Sequence, residues 1–224
     1  MILEPSIWIF GYGSLTWKPC INYAKREIGF IWGFSRKFWQ GNIHQRGTFE
    51  KPGRVATLIN SEGEKCWGVA YEVRGQENIE NALSHLESRE TKLGGYRKFI
   101  TKFYRRDAKE KDPTGEEETF ADVIDVLCFT ATPSNPHYLG PCDVELMADQ
   151  IVSTSGSCGP NSEYITRLAQ FLLEHIPEDN DTFLFTLDAK IKEKLDKNQP
   201  RQLFSSLIGQ NLQDSLNKSI KNKS

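Results

Sequence analysis

The order of the secondary-structure patterns along the chain is the feature that most restricts its fold. Alternating apolar and polar residues, rich in β-branched and aromatic types, predict strands, and an apolar period of about 3.6 residues predicts helices. The predicted strands are residues 6–10, 28–39, 54–59, 66–73, 96–104 and 121–130, and the predicted helices are residues 76–90, 143–154, 161–176 and 182–196. Strands in meander order with one inserted helix, followed by a run of helices, indicate an α+β fold. Regular βαβ alternation is absent, which argues against a doubly wound nucleotide-binding fold.

The chain length indicates one domain with a tail. Domains usually contain about 50 to 250 residues, and this chain has 224. From about residue 197 the composition turns to Gln, Asn, Ser and Lys around a weak apolar stripe. We therefore predict one domain at residues 1–197 and a polar C-terminal tail at residues 198–224, either helical or disordered.

Composition and charge argue against several classes of partner. The formal net charge of −2 gives no electrostatic reason to expect nucleic acid or an anionic membrane. No apolar run approaches the roughly 20 residues that cross a bilayer, and the N-terminus MILEPSIWIF lacks the basic region of a signal peptide. The five cysteines are odd in number and widely spaced, so we expect neither a disulfide framework nor a zinc site. These observations favour the cytosol.

No pattern of metal ligands or side-chain nucleophiles is evident. The four histidines lie far apart, without HxxxH or HExxH spacing. No cysteine lies in a nucleophile motif, and Ser14 is not in a GxSxG turn. We therefore expect no metal and no cofactor, which leaves a carboxylate as the catalytic group.

The stretch FGYGSLTWKP at residues 10–19 follows the first predicted strand with a loop of small residues. A dinucleotide-binding loop is disfavoured, because Thr16 stands where the third glycine belongs and Pro19 would interrupt the phosphate-binding helix. Two interpretations remain for the glycines. They permit a tight turn, or they let successive backbone N–H groups from Gly11 to Leu15 converge on a carboxylate or oxyanion. The loop alone does not decide between them.

One helix singles out an acidic residue. The apolar stripe of the helix predicted at residues 76–90 consists of Ile79, Ala82, Leu83 and Leu86. Glu90 continues this stripe four residues after Leu86, so the pattern directs it toward the core. Burial there would raise its pKa toward neutrality, where a carboxylate can accept and return a proton. Alternatively, the residue lies past the helix end and pairs in solvent with Arg89, Lys92 or Arg97.

Seven segments spread over the chain all resemble the same protein family. The segments are FGYGSLTWKP at 10–19, FSRKFWQG at 34–41, RGTFEKPGRVATLI at 46–59, CWGVAYEV at 66–73, SRETKLGGYR at 88–97, ATPSNPHYLGP at 131–141 and NSEYITRLAQFL at 161–172. In this order, and over about residues 7 to 195, they resemble the ChaC family of glutathione-specific γ-glutamylcyclotransferases.

The resemblance implies a fold and a set of site residues. The implied fold is γ-glutamylcyclotransferase-like, a small mixed β-barrel flanked by helices. The family's catalytic glutamate maps onto Glu90. Its substrate-binding loop maps onto Gly11, Tyr12, Gly13, Ser14, Leu15 and Thr16. Candidate pocket residues are Tyr138 and Arg46, and further candidate partners for substrate carboxylates are Arg36, Lys37 and Arg54.

The reaction implied by the resemblance is the cleavage of glutathione into 5-oxo-L-proline and L-cysteinylglycine, a lyase reaction. The α-amine of the γ-glutamyl group attacks its own γ-carbonyl, and Glu90 acts as general acid and base. Glutathione is then the partner of a cytosolic protein that we expect to be a monomer. Two alternatives stay open, namely cyclisation of other γ-glutamyl amino acids or amines, and non-catalytic binding of a γ-glutamyl metabolite. A protein-interaction module would instead use the aromatic run FIWGFSRKFWQ, with Trp32, Phe34, Phe38 and Trp39.

A few positions depart from the family pattern. Gln45 stands where the family usually has His, and residues 156–159 read Gly-Ser-Cys-Gly where the family usually reads Gly-Pro-Ser-Gly. Two extra residues separate Glu90 from Gly94-Gly95, relative to the shortest family members. We expect these departures to affect substrate selectivity more than the type of reaction.

Overall fold

The computed structural model of the chain describes residues 4–90, 96–106 and 123–198, without the side chains of residues 88–90 and 198. The C-terminal tail predicted at residues 198–224 therefore lies almost entirely outside the described residues. The division into a domain at 1–197 and a tail stays a prediction.

Five strands form a closed barrel. They are β1 Ser6–Gly11, β2 Lys25–Asn42, β3 Gly53–Arg74, β4 Tyr96–Arg105 and β5 Val123–Ala131. The order around the barrel is β1-β3-β2-β4-β5. Antiparallel pairing joins these neighbours, and a parallel pairing of Ile9 with Leu127 closes the barrel between β1 and β5. The expected small mixed barrel is thus confirmed.

The two strands predicted at 54–59 and 66–73 are one continuous strand, so the prediction of two strands was wrong. β3 is 22 residues long and pairs with the 18 residues of β2 in a single long hairpin. The register shifts between Trp32 and Phe34, where Gly33 and Gly63 both have a φ of +78°. Glycine adopts this left-handed conformation without steric cost, so the ladder resumes beyond the irregular residues instead of ending there.

The distal half of this hairpin, residues 34–42 with 53–60, extends beyond the part of β3 that pairs with β1. It folds against the end of β5, where the Leu58 amide donates a hydrogen bond of 2.8 Å to Thr130 Oγ1. Thr57 and Thr130 share a further hydrogen bond of 3.0 Å, and both are buried. The hairpin therefore covers the end of the barrel at which β1 and β5 finish.

In the described residues, four helices pack against the outside of the barrel, as expected. They are α1 Gln76–Glu90, α2 Val144–Val152, α3 Asn161–His175 and α4 Thr182–Asn198. A two-stranded ribbon of β6 Ser155–Gly156 and β7 Gly159–Pro160, which the patterns did not predict, separates α2 from α3. Among the helices described, none has the length and apolarity needed to cross a membrane.

Alternate side chains of the barrel strands face opposite sides, so the barrel has an inner apolar layer and an outer one that contacts the helices. Phe10 belongs to an inner cluster with Ile31 and Phe103, whereas the adjacent Ile9 belongs to an outer cluster with the helices. Ile79, Ala82 and Leu86 are buried in that outer cluster, which confirms the apolar stripe of α1. The aromatic run of β2 is largely interior: Phe38 is fully buried, although Trp32 is 41% exposed. This arrangement does not support an interaction module made from that run.

We expect the inner layer to carry a large part of the stability. Phe103 of β4 is fully buried, whereas Ile100 on the same strand is 70% exposed. Because Phe103→Ala leaves a cavity in a closed barrel, it should lower the free energy of unfolding by about 3–5 kcal/mol. Ile100→Ala should change it by no more than about 0.5 kcal/mol. Urea denaturation of both variants checks this, and equal losses would contradict the assignment of the two layers.

Candidate active site

The glycine-containing loop begins where β1 ends at Gly11 and turns into a single 3₁₀ turn, Ser14–Thr16. The Thr16 amide and hydroxyl both donate to the Gly13 carbonyl, at 3.0 and 2.9 Å. The amides of Ser14 and Leu15 are the first two of this turn. The first N–H groups of a helix have no acceptor within the helix. The loop is therefore a tight turn, and binding of an anion by its first backbone N–H groups stays a prediction. The two sequence interpretations are compatible.

The larger side chains of the loop point into the protein. Tyr12 is 8% exposed, and its hydroxyl donates to the Phe129 carbonyl at 2.8 Å. Leu15 packs against the outer apolar cluster, and Thr16 is buried. What the loop offers at its surface is therefore peptide backbone and the half-buried Ser14, while its other side chains fix its position.

Gly13 is in close contact with two distant parts of the chain. A Cβ atom on this residue would lie 2.6 Å from Tyr164 Oη of α3 and 3.2 Å from Ala56 Cβ of β3. The Ala56 amide in turn donates to Tyr164 Oη at 3.1 Å. A glycine is therefore required for this close approach, which is a packing reason that the loop sequence alone does not reveal.

Two further side chains hold the carbonyl groups of the loop. Tyr71 donates its hydroxyl to the Leu15 carbonyl at 2.7 Å, and Arg36 donates Nε–H to the Tyr12 carbonyl at 2.8 Å. Burial raises the pKa of Tyr71, so its hydroxyl stays protonated as a donor. The sequence patterns did not identify Tyr71 or Tyr164 as supports of the loop. Both lie in segments that carry the family resemblance, but their partners are far away in sequence.

Helix α1 ends at the same end of the barrel as the loop. The helix begins beside the first residues of β1, since the Gly75 amide donates to the Pro5 carbonyl at 2.9 Å. In its last turn, Glu87 forms an ion pair of 2.7 Å with Lys98 of β4. Lys98 is in register with Phe129, whose carbonyl accepts the Tyr12 hydroxyl.

Glu90 is the last residue of α1, three residues beyond Glu87. A helix rises about 1.5 Å per residue, so the backbone of Glu90 lies less than one turn further along. The side chain of Glu90 lies outside the described part of the structure. Its predicted catalytic role and its inward orientation therefore stay predictions.

The candidate pocket residues have defined local partners. Arg46 Nη1 contacts Glu163 Oε2 at 2.8 Å and the Pro160 carbonyl at 2.9 Å. This hydrogen bond to Arg46 lowers the pKa of Glu163 below its ordinary value. Tyr138 forms a β-bridge with Gln40, and burial raises the pKa of its hydroxyl. No observation tests substrate contact by either residue.

The structure does not support substrate contact by Arg36 or Arg54. Their exposed fractions are 2% and 4%, and both guanidinium groups bind groups of the protein. Arg54 donates to Gln150 Oε1 at 2.7 Å and to the Phe38 carbonyl at 2.9 Å. Lys37 lies over the ring of Phe183, 4.8 Å from its centroid.

The two main departures from the family pattern touch each other. The Cys158 amide donates to the Gln45 carbonyl, and the Ser157 amide donates to the His44 carbonyl, both at 2.9 Å. The β6–β7 turn therefore packs on the loop that follows β2. A change in one segment alters the surroundings of the other.

Two cavities, of about 690 and 590 Å³, adjoin the supports of the loop, with Arg36 lining the larger and Tyr71 the smaller. Neither is lined by Gly13 or Ser14. We locate the candidate site at the end of the barrel where the glycine-containing loop and the last backbone residues of α1 both lie. In the ranges 4–90, 96–106 and 123–198, no group of three His, Cys, Asp or Glu side chains could hold a metal ion.

Comparison with known proteins gives consistent matches over most of the chain. The family model described as "ChaC-like protein" matches residues 7–194. The "Glutathione-specific gamma-glutamylcyclotransferase 1" of Danio rerio is 40% identical over 188 residues, which cover 84% of this chain and 90% of that protein. The protein of the same name from Homo sapiens is 42% identical over 179 residues, which cover 80% of this chain and 75% of that protein.

A solved structure shares the fold. The crystal structure of a γ-glutamyl cyclotransferase specific to glutathione from yeast superimposes with a TM-score of 0.70 and 26% sequence identity. The superposition covers 85% of this chain and 99% of the yeast chain. The barrel with its helical layer is therefore an architecture already seen in a cyclotransferase.

A double-mutant cycle tests the contact between Gly13 and Tyr164. Gly13→Ala should lower the free energy of unfolding by about 1–3 kcal/mol through overpacking, and Tyr164→Phe by about 1 kcal/mol because the Ala56 amide loses its acceptor. In the double variant the hydroxyl of residue 164 is absent, and the nearest atom of its ring to the new Cβ is Cζ, at 3.8 Å. The double variant should therefore be more stable than the sum of the single losses implies, by at least about 0.5 kcal/mol. Additive losses in urea denaturation would contradict this contact.

The ion pair of Glu163 with Arg46 predicts a pH-dependent stability. The pKa of Glu163 is lowered in the folded protein, so its contribution is present above the pKa of the unfolded chain and is lost as the pH falls through the folded pKa. Glu163→Gln should therefore lower the thermal midpoint at pH 7, and the difference should shrink toward zero as the solution is acidified through the folded pKa. A difference that persists at acidic pH would show that the charge of Glu163 is not responsible.

Proposed function

Because the chain belongs to the ChaC-like family, we propose that it is a glutathione-specific γ-glutamylcyclotransferase that degrades glutathione. The observation that carries this conclusion is the family match over residues 7–194. Relatives named as glutathione-specific enzymes are about 40% identical over most of the chain. The end of the barrel that unites the glycine-containing loop with the end of α1 is where we place the reaction.

The proposed reaction is an intramolecular cyclisation. The α-nitrogen of the γ-glutamyl group bonds to its own γ-carbonyl carbon, and the bond from that carbon to the cysteine nitrogen breaks. One proton leaves the attacking amine and one arrives at the departing nitrogen, so 5-oxoproline and cysteinylglycine form without consuming water. Because the nucleophile belongs to the substrate, the protein must hold a bent conformer. Such positioning can supply about 7–11 kcal/mol of the barrier when the geometry is ideal.

The loop at residues 11–16 is the proposed binding element for the γ-glutamyl group. The amides at the start of its 3₁₀ turn and the Ser14 hydroxyl would bind the α-carboxylate or the oxyanion that develops on the γ-carbonyl. Support for this role comes from the fixed position of the loop, since Tyr71 and Arg36 hold its carbonyl groups. Donors that are already oriented need no reorganisation when charge develops.

Glu90 is the proposed general acid and base. It would accept the proton from the attacking amine and deliver a proton to the leaving nitrogen. Support comes from its position as the last residue of α1, at the loop end of the barrel. A partly desolvated carboxyl at this position would have a raised pKa, which suits proton transfer near neutral pH.

Glutathione is the proposed substrate in preference to other γ-glutamyl compounds, and the cytosol is the proposed compartment. The preference for glutathione rests on the names of the relatives. The five cysteines are free thiols, in keeping with a reducing environment. Incubation of the protein with glutathione and with γ-glutamylalanine, with 5-oxoproline quantified by mass spectrometry, tests the proposed function. Release from γ-glutamylalanine alone would favour the broader cyclotransferase, and saturable binding without product would favour a binding protein.

Replacement of the candidate carboxylate tests the mechanism. Glu90→Gln should retain the fold and glutathione binding but lower kcat by about 10²–10⁴-fold, because a positioned general base typically contributes that much. Glu87→Gln is the matched control, since Glu87 is an acid of the same helix that pairs with Lys98 at the surface. The control should keep nearly full activity. Near-normal turnover by Glu90→Gln would remove Glu90 from the mechanism.

A further inference from the structure

Arg36 lies at the centre of a buried network that links three parts of the fold. Besides the Tyr12 carbonyl at 2.8 Å, its guanidinium contacts Asp181 Oδ2 at 2.9 Å and Asp179 Oδ2 at 3.5 Å. It also donates to the Trp67 carbonyl and approaches Cys66 Sγ at 3.8 Å. The planar guanidinium is one of the few groups with enough donors to bind all of these at once.

The carbonyl that Arg36 binds belongs to the peptide group between Tyr12 and Gly13. A trans peptide group is planar, and its C=O and N–H bonds point in opposite directions. A donor that fixes the Tyr12 oxygen on one side of the loop therefore also fixes the Gly13 N–H toward the opposite side. A charged donor on the carbonyl polarises the peptide group as well, which makes its N–H a stronger donor.

The acidic partners of Arg36 are themselves held by backbone amides near the start of α4. Asp181 Oδ1 accepts from the Leu184 amide at 2.9 Å, and Asp179 Oδ1 accepts from the Asp181 amide at 3.1 Å. Each carboxylate thus uses one oxygen for the backbone and the other for Arg36. The carboxylates near the start of α4 therefore hold the guanidinium of Arg36 in the position from which it binds the loop.

We propose that Arg36 is a positioning residue for the cyclisation, acting through the Tyr12–Gly13 peptide group. Held by Asp179 and Asp181, it aims the Gly13 N–H at the γ-glutamyl group on the far side of the loop. This inference rests on the proposed function, because it assigns the loop to γ-glutamyl binding. It gives Arg36 an indirect role in place of the direct substrate contact expected from the sequence.

The substitution Arg36→Lys tests the proposal, with Arg106→Lys as the matched control. Lysine keeps the positive charge but has a single nitrogen, which cannot serve the Tyr12 carbonyl and both carboxylates together. Arg106 lines the same cavity as Arg36 and pairs with Glu178, but none of its described contacts reaches the loop. We expect kcat/KM for glutathione to fall about 10- to 100-fold in Arg36→Lys, less than the loss typical of a deleted oxyanion-binding donor. It should stay within about twofold of wild type in Arg106→Lys.

A spectroscopic measurement reports on the peptide group directly. Tyr12–Gly13 is the sole Tyr-Gly dipeptide in the 224-residue sequence. Protein labelled with carbonyl-¹³C tyrosine and ¹⁵N glycine therefore gives a single HNCO peak. In Arg36→Lys this peak should shift as expected for a weakened hydrogen bond to the carbonyl, and in Arg106→Lys it should stay in place. Activity is measured at a temperature where circular dichroism shows every variant to be fully folded.

The outcomes separate the positioning role from the proposed function. An unmoved peak in Arg36→Lys, an unchanged kcat/KM, or equal losses in both variants would overturn the positioning role. If Arg36→Lys does not fold, Asp181→Asn replaces it, since this variant keeps the guanidinium and removes a counter-charge. Its peak should shift and its kcat/KM should fall, and no change in either would overturn the role. Absence of 5-oxoproline with the wild-type protein would instead refute the proposed function, and the positioning role with it.

Discussion

The insertion of β1 between β3 and β5 is the constraint on which the rest of the structure depends. Its antiparallel pairing with β3 and its parallel pairing with β5 close the barrel. Because β1 is only six residues long, it ends at Gly11, level with the end of β5. The loop that follows must therefore lie at the mouth of a closed barrel, where the distal half of the β2–β3 hairpin and α3 can both reach it.

The loop owes its shape to residues that are distant in sequence. The Tyr12 hydroxyl is held inside the barrel by the Phe129 carbonyl. The Tyr71 hydroxyl, in the outer layer, binds the Leu15 carbonyl. Tyr164 leaves room for a glycine at position 13 but not for a larger residue. Hydroxyl groups are well suited to this task, since they can orient a peptide group without bringing a charge to the site. Arg36 is the exception, and its charge is balanced by two carboxylates within the protein.

Much of the fold could be predicted from the sequence because periodicity is a local property. The helix boundaries at 76–90 and 161–176 needed only the spacing of apolar residues, and alternation indicated the strands of the barrel but not β6 and β7. Local patterns failed where pairing crosses an irregularity. The sequence therefore predicted a break at residues 60–65, a polar stretch in which the pairing with β2 shifts register and then resumes. The glycine-containing loop was recognisable, and the stripe ending in Glu90 was correct as far as Leu86. The roles of Arg36 and Tyr164 were beyond local patterns, because their burial depends on partners that only the folded chain brings together.

The proposed binding loop consists of peptide groups, which has a further consequence for how the protein would respond to acidity. Backbone amides do not ionise between mildly acidic and mildly alkaline solution, so such a cradle presents the same donors throughout that interval. Under the proposed mechanism, a bell-shaped activity profile would report on the proton-transferring side chain and on the ammonium group of the substrate, and not on the loop that binds it.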